Sequence, residues 1–212
     1  MMSPTSPAAE ADPPTILLVE DDPALRAMLR SMLELHDYRV AEADGREAAL
    51  RRIAEHEAIR VVILDLGLPP APHDITEGIA TLKAIQDELM TAKVIVLTGQ
   101  DQEAAALAAV REGAFDFLAK PAAAETILMA VRRAFLFLEQ ESALSRQGLT
   151  RIAVNAQVGE GLKSVRDDAE ERLVRQILKE TGFNVYQSAK RLGVKRENIY
   201  YFMKKFGIQR DD

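Results

Sequence analysis

Apolar runs short enough to be buried strands recur five times in the first 120 residues of this 212-residue chain. The runs cover residues 16–19, 39–41, 61–64, 94–97 and 115–118. Segments with apolar residues at helical spacing alternate with them, at 23–35, 45–55, 78–88 and 101–112 and from about residue 122 onward. Five successive β–α units predict an α/β fold with a five-stranded, doubly wound parallel sheet and helices on both faces.

Polar residues of particular types follow four of these predicted strands. The first strand leads into Glu20, Asp21 and Asp22, the third ends at Asp65, the fourth ends at Thr98, and Lys120 follows the fifth. Because the carboxyl ends of parallel strands line one crevice, these side chains are expected to converge. Crowded carboxylates repel one another unless a hard cation lies between them, and Mg²⁺ favours carboxylate and water oxygens. The pattern therefore predicts a Mg²⁺ site.

The expected ligands of this Mg²⁺ ion are Asp21 and Asp65, with the backbone carbonyl of Gly67 as a further oxygen and with Glu20 and Asp22 in support. Asp65 is the best candidate nucleophile, since a carboxylate can accept a phosphoryl group as an acyl phosphate. Lys120 can pair with Asp65 or with phosphoryl oxygens, and Thr98 can hydrogen-bond the phosphoryl group. We expect the Lys120–Pro121 peptide to be cis, which turns the chain sharply after the fifth strand.

Each of these residues also has an ordinary explanation. Acids before Pro23 suit the N-terminus of a helix. Asp65, Thr98 and Lys120 could each belong to a simple surface turn. The ordered set at successive strand ends is what favours phosphoryl chemistry.

Residues 14–138 resemble the receiver domain of bacterial two-component response regulators. The resemblance rests on Ile-Leu-Leu-Val-Glu20-Asp21-Asp22, Leu64-Asp65-Leu-Gly67-Leu-Pro69, Val-Leu-Thr98-Gly and Phe117-Leu-Ala-Lys120-Pro121. It implies a flavodoxin-like fold, Asp65 as the phosphoacceptor, Glu20 and Asp21 as the acidic pair, Thr98 as the switch hydroxyl, Lys120 as the family's lysine and Phe117 as the switch aromatic. It also implies a sensor histidine kinase as the phosphoryl donor. The segment 69–78 is longer than is usual in that family.

Composition and charge divide the chain into two parts. Residues 1–164 carry 16 Lys and Arg against 25 Asp and Glu, a net charge of −9, whereas residues 165–212 carry 11 against 8, a net charge of +3. A basic C-terminal part suits a polyanionic partner. The absence of cysteine excludes disulfides and Cys-based metal sites. The sequence shows no signal peptide and no long apolar run, so a cytoplasmic protein without membrane association is expected.

Three short helical patterns follow between residues 167 and 207. Asn184 is a natural N-cap for a helix over 185–192, and Gly193 suits a tight turn into a helix over 195–206. Two helices joined in this way form a helix-turn-helix, whose second helix enters the DNA major groove. Residues 167–212 are thus predicted to form a small all-α domain.

A Fis-type helix-turn-helix is similar in sequence to the segment from Asn184 to Ile199 and to Lys204-Lys205-Phe206-Gly207-Ile208 after it. This resemblance implies that Arg196 contacts DNA. The other candidate DNA-binding residues are Lys195, Asn198, Tyr200, Tyr201, Lys204 and Lys205. The family usually has basic residues where Tyr200 and Tyr201 stand. The chain contains no Gly-x-x-x-x-Gly-Lys-Ser/Thr loop, so an ATPase domain between the two parts is not expected.

The predicted organisation is a disordered tail (1–13), a receiver domain (14–138), a helix extension and linker (139–166) and a DNA-binding domain (167–212). We expect a response regulator that accepts a phosphoryl group on Asp65 and controls transcription by binding double-stranded DNA as a homodimer. Its only chemistry would be its own phosphorylation and dephosphorylation. The alternatives are a regulator in which phosphorylation controls only dimerisation, or one that binds RNA; neither would recognise the sequence of duplex DNA. An aspartyl-phosphate hydrolase is disfavoured because Asp65-Leu-Gly67 has no acid at its second position after the nucleophile.

Overall fold

The computed structural model describes residues 13–99, 102–152, 154 and 161–209. The chain divides into two compact units, Met1–Ser142 and Ala143–Asp212. All of the predicted tail except Pro13 lies outside the described residues, as do Asp101 of the predicted fourth helix and residues 153 and 155–160 of the predicted linker. No helix in the described ranges is both long and apolar enough to cross a membrane.

The first unit is built on a five-stranded parallel sheet with the strand order β2-β1-β3-β4-β5. The strands are β1 (Thr15–Val19), β2 (Arg39–Ala43), β3 (Ile59–Leu64), β4 (Lys93–Thr98) and β5 (Asp116–Ala119). The helices are α1 (Pro23–Glu34), α2 (Arg46–Glu55), α3 (Thr76–Glu88), α4 (Gln102–Arg111) and α5 (Ala124–Arg146). The predicted fold class is confirmed.

Alternating residues of the central strands bury their side chains on opposite faces of the sheet. Leu17 and Val19 belong to one hydrophobic core, which α2, α3 and α4 cover. Ile16 and Leu18 belong to the other core, which α1 and α5 cover. Because both faces are buried, the central strands read as continuous apolar runs rather than as an alternating pattern. These two cores hold the strand ends at one edge of the sheet.

The start of α3 approaches the loop after β3 very closely. A Cβ atom at Gly78 would lie 2.2 Å from the Cα atom and 2.4 Å from the carbonyl oxygen of Leu66. No side chain fits at this position without movement of the backbone. Glycine therefore lets α3 pack directly against the residue that follows Asp65, although the segment between them is long.

The second unit contains three helices, α6 (Leu162–Glu180), α7 (Val185–Leu192) and α8 (Arg196–Lys205). Asn184 caps α7 as predicted, since its side chain accepts a hydrogen bond from Gln187 N at 3.0 Å. Gly193 ends α7 with a φ of 67°, in the left-handed region that glycine adopts without steric cost. The core of this unit comprises Val174, Leu178, Ala189, Ile199 and Ile208.

The start of one helix differs from that expected from the sequence. Helix α6 begins at Leu162 rather than at Asp167, so Asp167 and Asp168 lie inside the helix and not at its N-terminus. Helix α5 continues to Arg146, through the predicted extension. Within α6, Asp168 forms an ion pair with Arg172, and Asp167 forms one with Lys205 at the end of α8.

Candidate functional site

Three carboxylates from two adjacent strands meet at the carboxyl edge of the sheet. Glu20 and Asp21 follow β1, and Asp65 follows β3; one carboxylate oxygen from each lies within 4.8 Å of the others. Backbone hydrogen bonds hold both chain segments, since Glu20 N donates to Ala43 O at 3.1 Å and Asp65 N donates to Val19 O at 2.9 Å. Glu20 and Asp65 are buried, and Asp21 is half-buried. The structure thus brings together three of the four acids that the sequence singled out.

Lys120, which follows the edge strand β5, bridges two of these acids. Its ammonium nitrogen donates hydrogen bonds to Glu20 Oε2 at 2.7 Å and to Asp65 Oδ2 at 2.9 Å. Its backbone N donates to Thr98 O at 2.9 Å, which ties the residue to the end of β4. The Lys120–Pro121 peptide is cis, as predicted, and so is Pro69–Pro70.

Burial and hydrogen bonding act in opposite directions on the pKa values of Glu20 and Lys120, and the pKa of each group is raised. Burial raises the pKa of Glu20 above its ordinary value, although the hydrogen bond from Lys120 opposes the rise. Burial also acts to lower the pKa of Lys120, but the hydrogen bonds to Glu20 and Asp65 outweigh it and the pKa is raised. Lys120 is therefore a fixed positive charge at neutral pH, beside a cluster of three carboxyl groups.

One oxygen of this cluster has room for a further partner. Asp65 Oδ1 is buried and accepts no hydrogen bond from any described residue. A buried polar atom without a partner is costly, and a hard cation would satisfy it. Gly67 is buried in the same loop, so its carbonyl lies close in the chain to Asp65. The donor set, composed of oxygens with one orphaned atom, fits a divalent cation such as Mg²⁺.

Asp22 is not part of the carboxylate cluster that the structure forms. Its side chain caps α1 instead, accepting hydrogen bonds from Ala24 N at 2.8 Å and Leu25 N at 3.1 Å. These hydrogen bonds lower the pKa of Asp22. The ordinary helix-start explanation therefore applies to this one of the three consecutive acids.

The two predicted switch residues lie on neighbouring strands. Thr98 is fully buried at the end of β4, where it pairs with Ala119 in register. Phe117 lies on β5, two residues before Ala119. It is half-buried and packs against the core that α2, α3 and α4 cover. A displacement of Thr98 toward the carboxylate cluster would therefore alter the packing next to Phe117.

Arg26 is a residue of this site that the sequence did not reveal. Its guanidinium donates to the backbone oxygens of Glu20 at 2.5 Å and Asp21 at 3.3 Å, and lies 3.5 Å from Glu42 Oε1. It therefore holds the backbone that carries the acidic pair. The only sequence signal is a basic residue one turn into α1, which is too common to be selective.

The candidate DNA-binding residues lie on or next to α8 in the second unit. Tyr200 and Tyr201 are 61% and 60% exposed. Lys195, Arg196, Asn198 and Lys204 are also exposed. Within the described parts of the chain, no carboxylate lies at ion-pair distance from Lys195, Arg196 or Lys204. These side chains form a polar, basic surface.

Lys205 differs from its neighbours because it is bound within the unit. Its ammonium group donates to Asp167 Oδ1 at 2.8 Å and to Glu170 Oε2 at 2.7 Å on α6. These two hydrogen bonds raise the pKa of Lys205 to about 12. The pairing joins α6 to the end of α8, so that DNA contact through Lys205 would compete with two acids.

Each of the two units matches a known protein family. A family model described as the response regulator receiver domain matches residues 16–132, and one described as a bacterial regulatory protein of the Fis family matches residues 165–206. A receiver domain structure from Clostridium thermocellum is 28% identical with a TM-score of 0.55, and the match covers 59% of this chain and 97% of that chain.

Two curated regulators are also similar to the chain. It is 34% identical over 131 residues to the C4-dicarboxylate transport transcriptional regulatory protein DctD of Pseudomonas aeruginosa, a match covering 61% of this chain and 27% of DctD. It is 32% identical over 158 residues to the transcriptional regulatory protein KdpE of Mycobacterium tuberculosis, a match covering 74% of this chain and 66% of KdpE. The chain thus spans less than two thirds of the length of these relatives. With a receiver domain that matches more than half of its residues and a Fis-family helix-turn-helix after it, the chain belongs to the response regulators.

Proposed function

We propose that the chain is a transcription regulator whose DNA binding is controlled by phosphorylation of Asp65. The observation that carries the proposal is the contact of the Asp65 carboxylate with Lys120 beside two further acids, at a strand end, in a chain that also has a Fis-family helix-turn-helix. The phosphoryl donor would be a phosphohistidine of a sensor histidine kinase. The partner of the second unit would be double-stranded DNA.

In the transfer, a carboxylate oxygen of Asp65 forms a bond to phosphorus while the P–N bond of the donor breaks. The electron pair of that bond returns to the imidazole nitrogen, and Asp65 becomes an acyl phosphate. Lys120 lies 2.9 Å from Asp65 Oδ2 and supplies a positive charge for the incoming phosphoryl oxygens. Such a reaction depends chiefly on positioning and charge neutralisation.

A bound Mg²⁺ ion would neutralise part of the negative charge of the phosphoryl group and of the carboxylates. Asp21 and Asp65, with the Gly67 carbonyl, would hold it, and Glu20 would support them. Arg26 would keep the backbone of Glu20 and Asp21 in place through its two hydrogen bonds.

Phosphorylation would be transmitted from Thr98 to the surface of the receiver. The Thr98 hydroxyl would bond the phosphoryl group, and the packing around Phe117 on the neighbouring strand would change. We propose that this change favours a homodimer, in which two α8 helices engage the half-sites of a palindromic operator. Phe117 lacks a hydroxyl, so packing alone would report the change.

The chemistry would remain within the chain. The residue two positions after Asp65 is Gly67, so the acid that an aspartyl-phosphate hydrolase would use to protonate an external leaving group is absent from that position. We therefore propose no turnover of external substrates, only phosphorylation and dephosphorylation of Asp65.

Mg²⁺ is expected to bind the full chain at one site, and Asp21→Asn is expected to weaken that binding by at least about tenfold, because it removes a carboxylate ligand. Isothermal titration calorimetry measures the affinity. Asp37→Asn, a change of an acid outside the cluster, is the control. Equal Mg²⁺ affinities of the wild type and Asp21→Asn would remove Asp21 from the site.

Arg196→Ala is expected to weaken duplex binding by about 1–3 kcal/mol and to reduce sequence preference, because an arginine at the start of α8 would read a base edge. Lys204→Ala is instead expected to weaken all duplexes alike and to lower the salt dependence, since it would contact phosphate. Fluorescence anisotropy at several salt concentrations, on duplexes selected by the wild type and on scrambled ones, distinguishes the two effects.

The RNA-binding alternative is tested in the same assay with structured RNA in place of duplex DNA. A preference for RNA would support that alternative. Unchanged affinity and preference in Arg196→Ala would instead favour a second unit that only dimerises.

A further inference from the structure

The first turns of α7 and α8 are joined by a contact between an aromatic ring and a guanidinium group. The Arg196 Cζ atom lies 4.9 Å from the ring centroid of Tyr186. This distance is within the range of about 6 Å at which a cation is attracted by the face of an aromatic ring. Both side chains are exposed, and Tyr186 is 59% accessible. The contact therefore forms on the surface and is not a consequence of core packing.

The backbone on both sides of this contact is fixed. The Asn184 cap holds the first turn of α7, and Val185 packs against the core of the second unit. Ile199, one turn after Arg196, is fully buried in the same core. The ring and the arginine are thus brought to this distance by the fold of the unit, before any ligand binds.

The contact leaves the hydrogen-bonding edge of Arg196 available. An arginine presents five N–H donors in the plane of the guanidinium, whereas a ring attracts its cation from above or below. No described carboxylate lies at ion-pair distance from Arg196, and Glu197 is the only acid on α8. Arg196 is therefore held by a neutral group that does not compete for its donors.

We propose that Tyr186 on α7 is a positioning residue for Arg196, the residue of α8 that reads the base. The inference rests on the proposed DNA binding and deepens it. Arginine reads guanine through paired hydrogen bonds to O6 and N7 in the major groove, which require a defined orientation of the guanidinium. Holding the side chain in advance reduces the conformational entropy lost when the complex forms.

The expected effect is a loss of sequence preference. A surface cation–π contact of this kind corresponds to about two- to fivefold in affinity. Tyr186 is uncharged, so its removal is expected to leave the salt dependence of binding unchanged. A residue that contacts only phosphate, or that supports folding only, would not give this combination.

The test uses the full chain and duplexes selected by the wild type from a random library. We expect Tyr186→Leu to lose about two- to fivefold in affinity for the selected duplex relative to a scrambled one. Tyr186→Phe, which keeps the ring, is expected to retain the wild-type preference. In an Arg196→Ala background, Tyr186→Leu is expected to cause no further loss, because the two residues act as a unit.

A second measurement tests the contact in the absence of DNA. The aromatic ring is expected to shift the NMR signals of the Arg196 side chain in the wild type and in Tyr186→Phe, and the shift is expected to disappear in Tyr186→Leu. Equal duplex preference of the wild type and Tyr186→Leu would overturn the inference while leaving DNA binding intact. Failure of the wild type to select any duplex would overturn both.

Discussion

Asp65→Asn is expected to abolish phosphorylation of the chain by a small phosphodonor in the presence of Mg²⁺. Asp65 is the acid that contacts Lys120 through Oδ2 and has a buried oxygen without a described partner. Asparagine preserves the size of the side chain but cannot form a stable acyl phosphate. Intact-protein mass spectrometry should show one added phosphoryl group on the wild type and none on the variant.

Asp44→Asn is the matched control, because Asp44 is an exposed acid that follows β2 at the same edge of the sheet. It is expected to label like the wild type. Phosphorylation that persists in Asp65→Asn would identify a different acceptor. Genome-wide DNA occupancy of the wild type and Asp65→Asn would then show whether the modification controls binding.

Lys120→Met is expected to lower the free energy of unfolding of the metal-free protein by about 3–5 kcal/mol near neutral pH. The change leaves the buried carboxylates of Glu20 and Asp65 facing each other without a cation. Methionine keeps the length of the side chain, so the loss reports charge more than packing. Chemical denaturation in the presence of a chelator measures the difference.

The pH dependence of this effect follows from the direction of the pKa shifts. Because the pKa of folded Lys120 is raised above 10.5, its contribution is fully present below that value and is lost only as pH rises through the folded pKa. The pKa of Glu20 is raised by burial, so protonation of Glu20 relieves the repulsion as pH falls. The difference in the free energy of unfolding between the wild type and Lys120→Met is therefore expected to become smaller at acidic pH.

Addition of Mg²⁺ is also expected to reduce the loss of unfolding free energy caused by Lys120→Met, because the ion supplies the missing positive charge. Lys83→Met, a change of an exposed lysine on α3, is the control and is expected to alter stability by no more than about 0.5 kcal/mol. A Lys120→Met protein as stable as this control in metal-free buffer would show that Lys120 does not neutralise the cluster.

The fold was predictable because its strongest signals are local. Runs such as residues 61–64 are apolar on both faces of the strand, as expected for a sheet that is covered on both sides. Once the strands are parallel, the convergence of Asp21, Asp65 and Lys120 follows from topology, although these residues are far apart in the sequence.

The remaining details depend on tertiary contacts that no local pattern encodes. A run of three acids does not reveal that Asp22 caps α1 while its neighbours face Asp65. Lys205 looks like another basic residue of α8, but the packing of α8 against α6 brings it to Asp167 and Glu170. The contact of Tyr186 with Arg196 likewise depends on how the turn at Gly193 orients two helices.

The close approach of Gly78 to Leu66 separates the long connection after β3 into parts with different tolerance to change. Residues 69–74 are exposed, so their number and identity can vary without disturbing either core. Gly78 cannot vary in the same way, because a Cβ atom at this position would clash with backbone atoms of Leu66. Loop variants of different length and sequence can therefore be built in this segment, provided that the glycine at the start of α3 is retained.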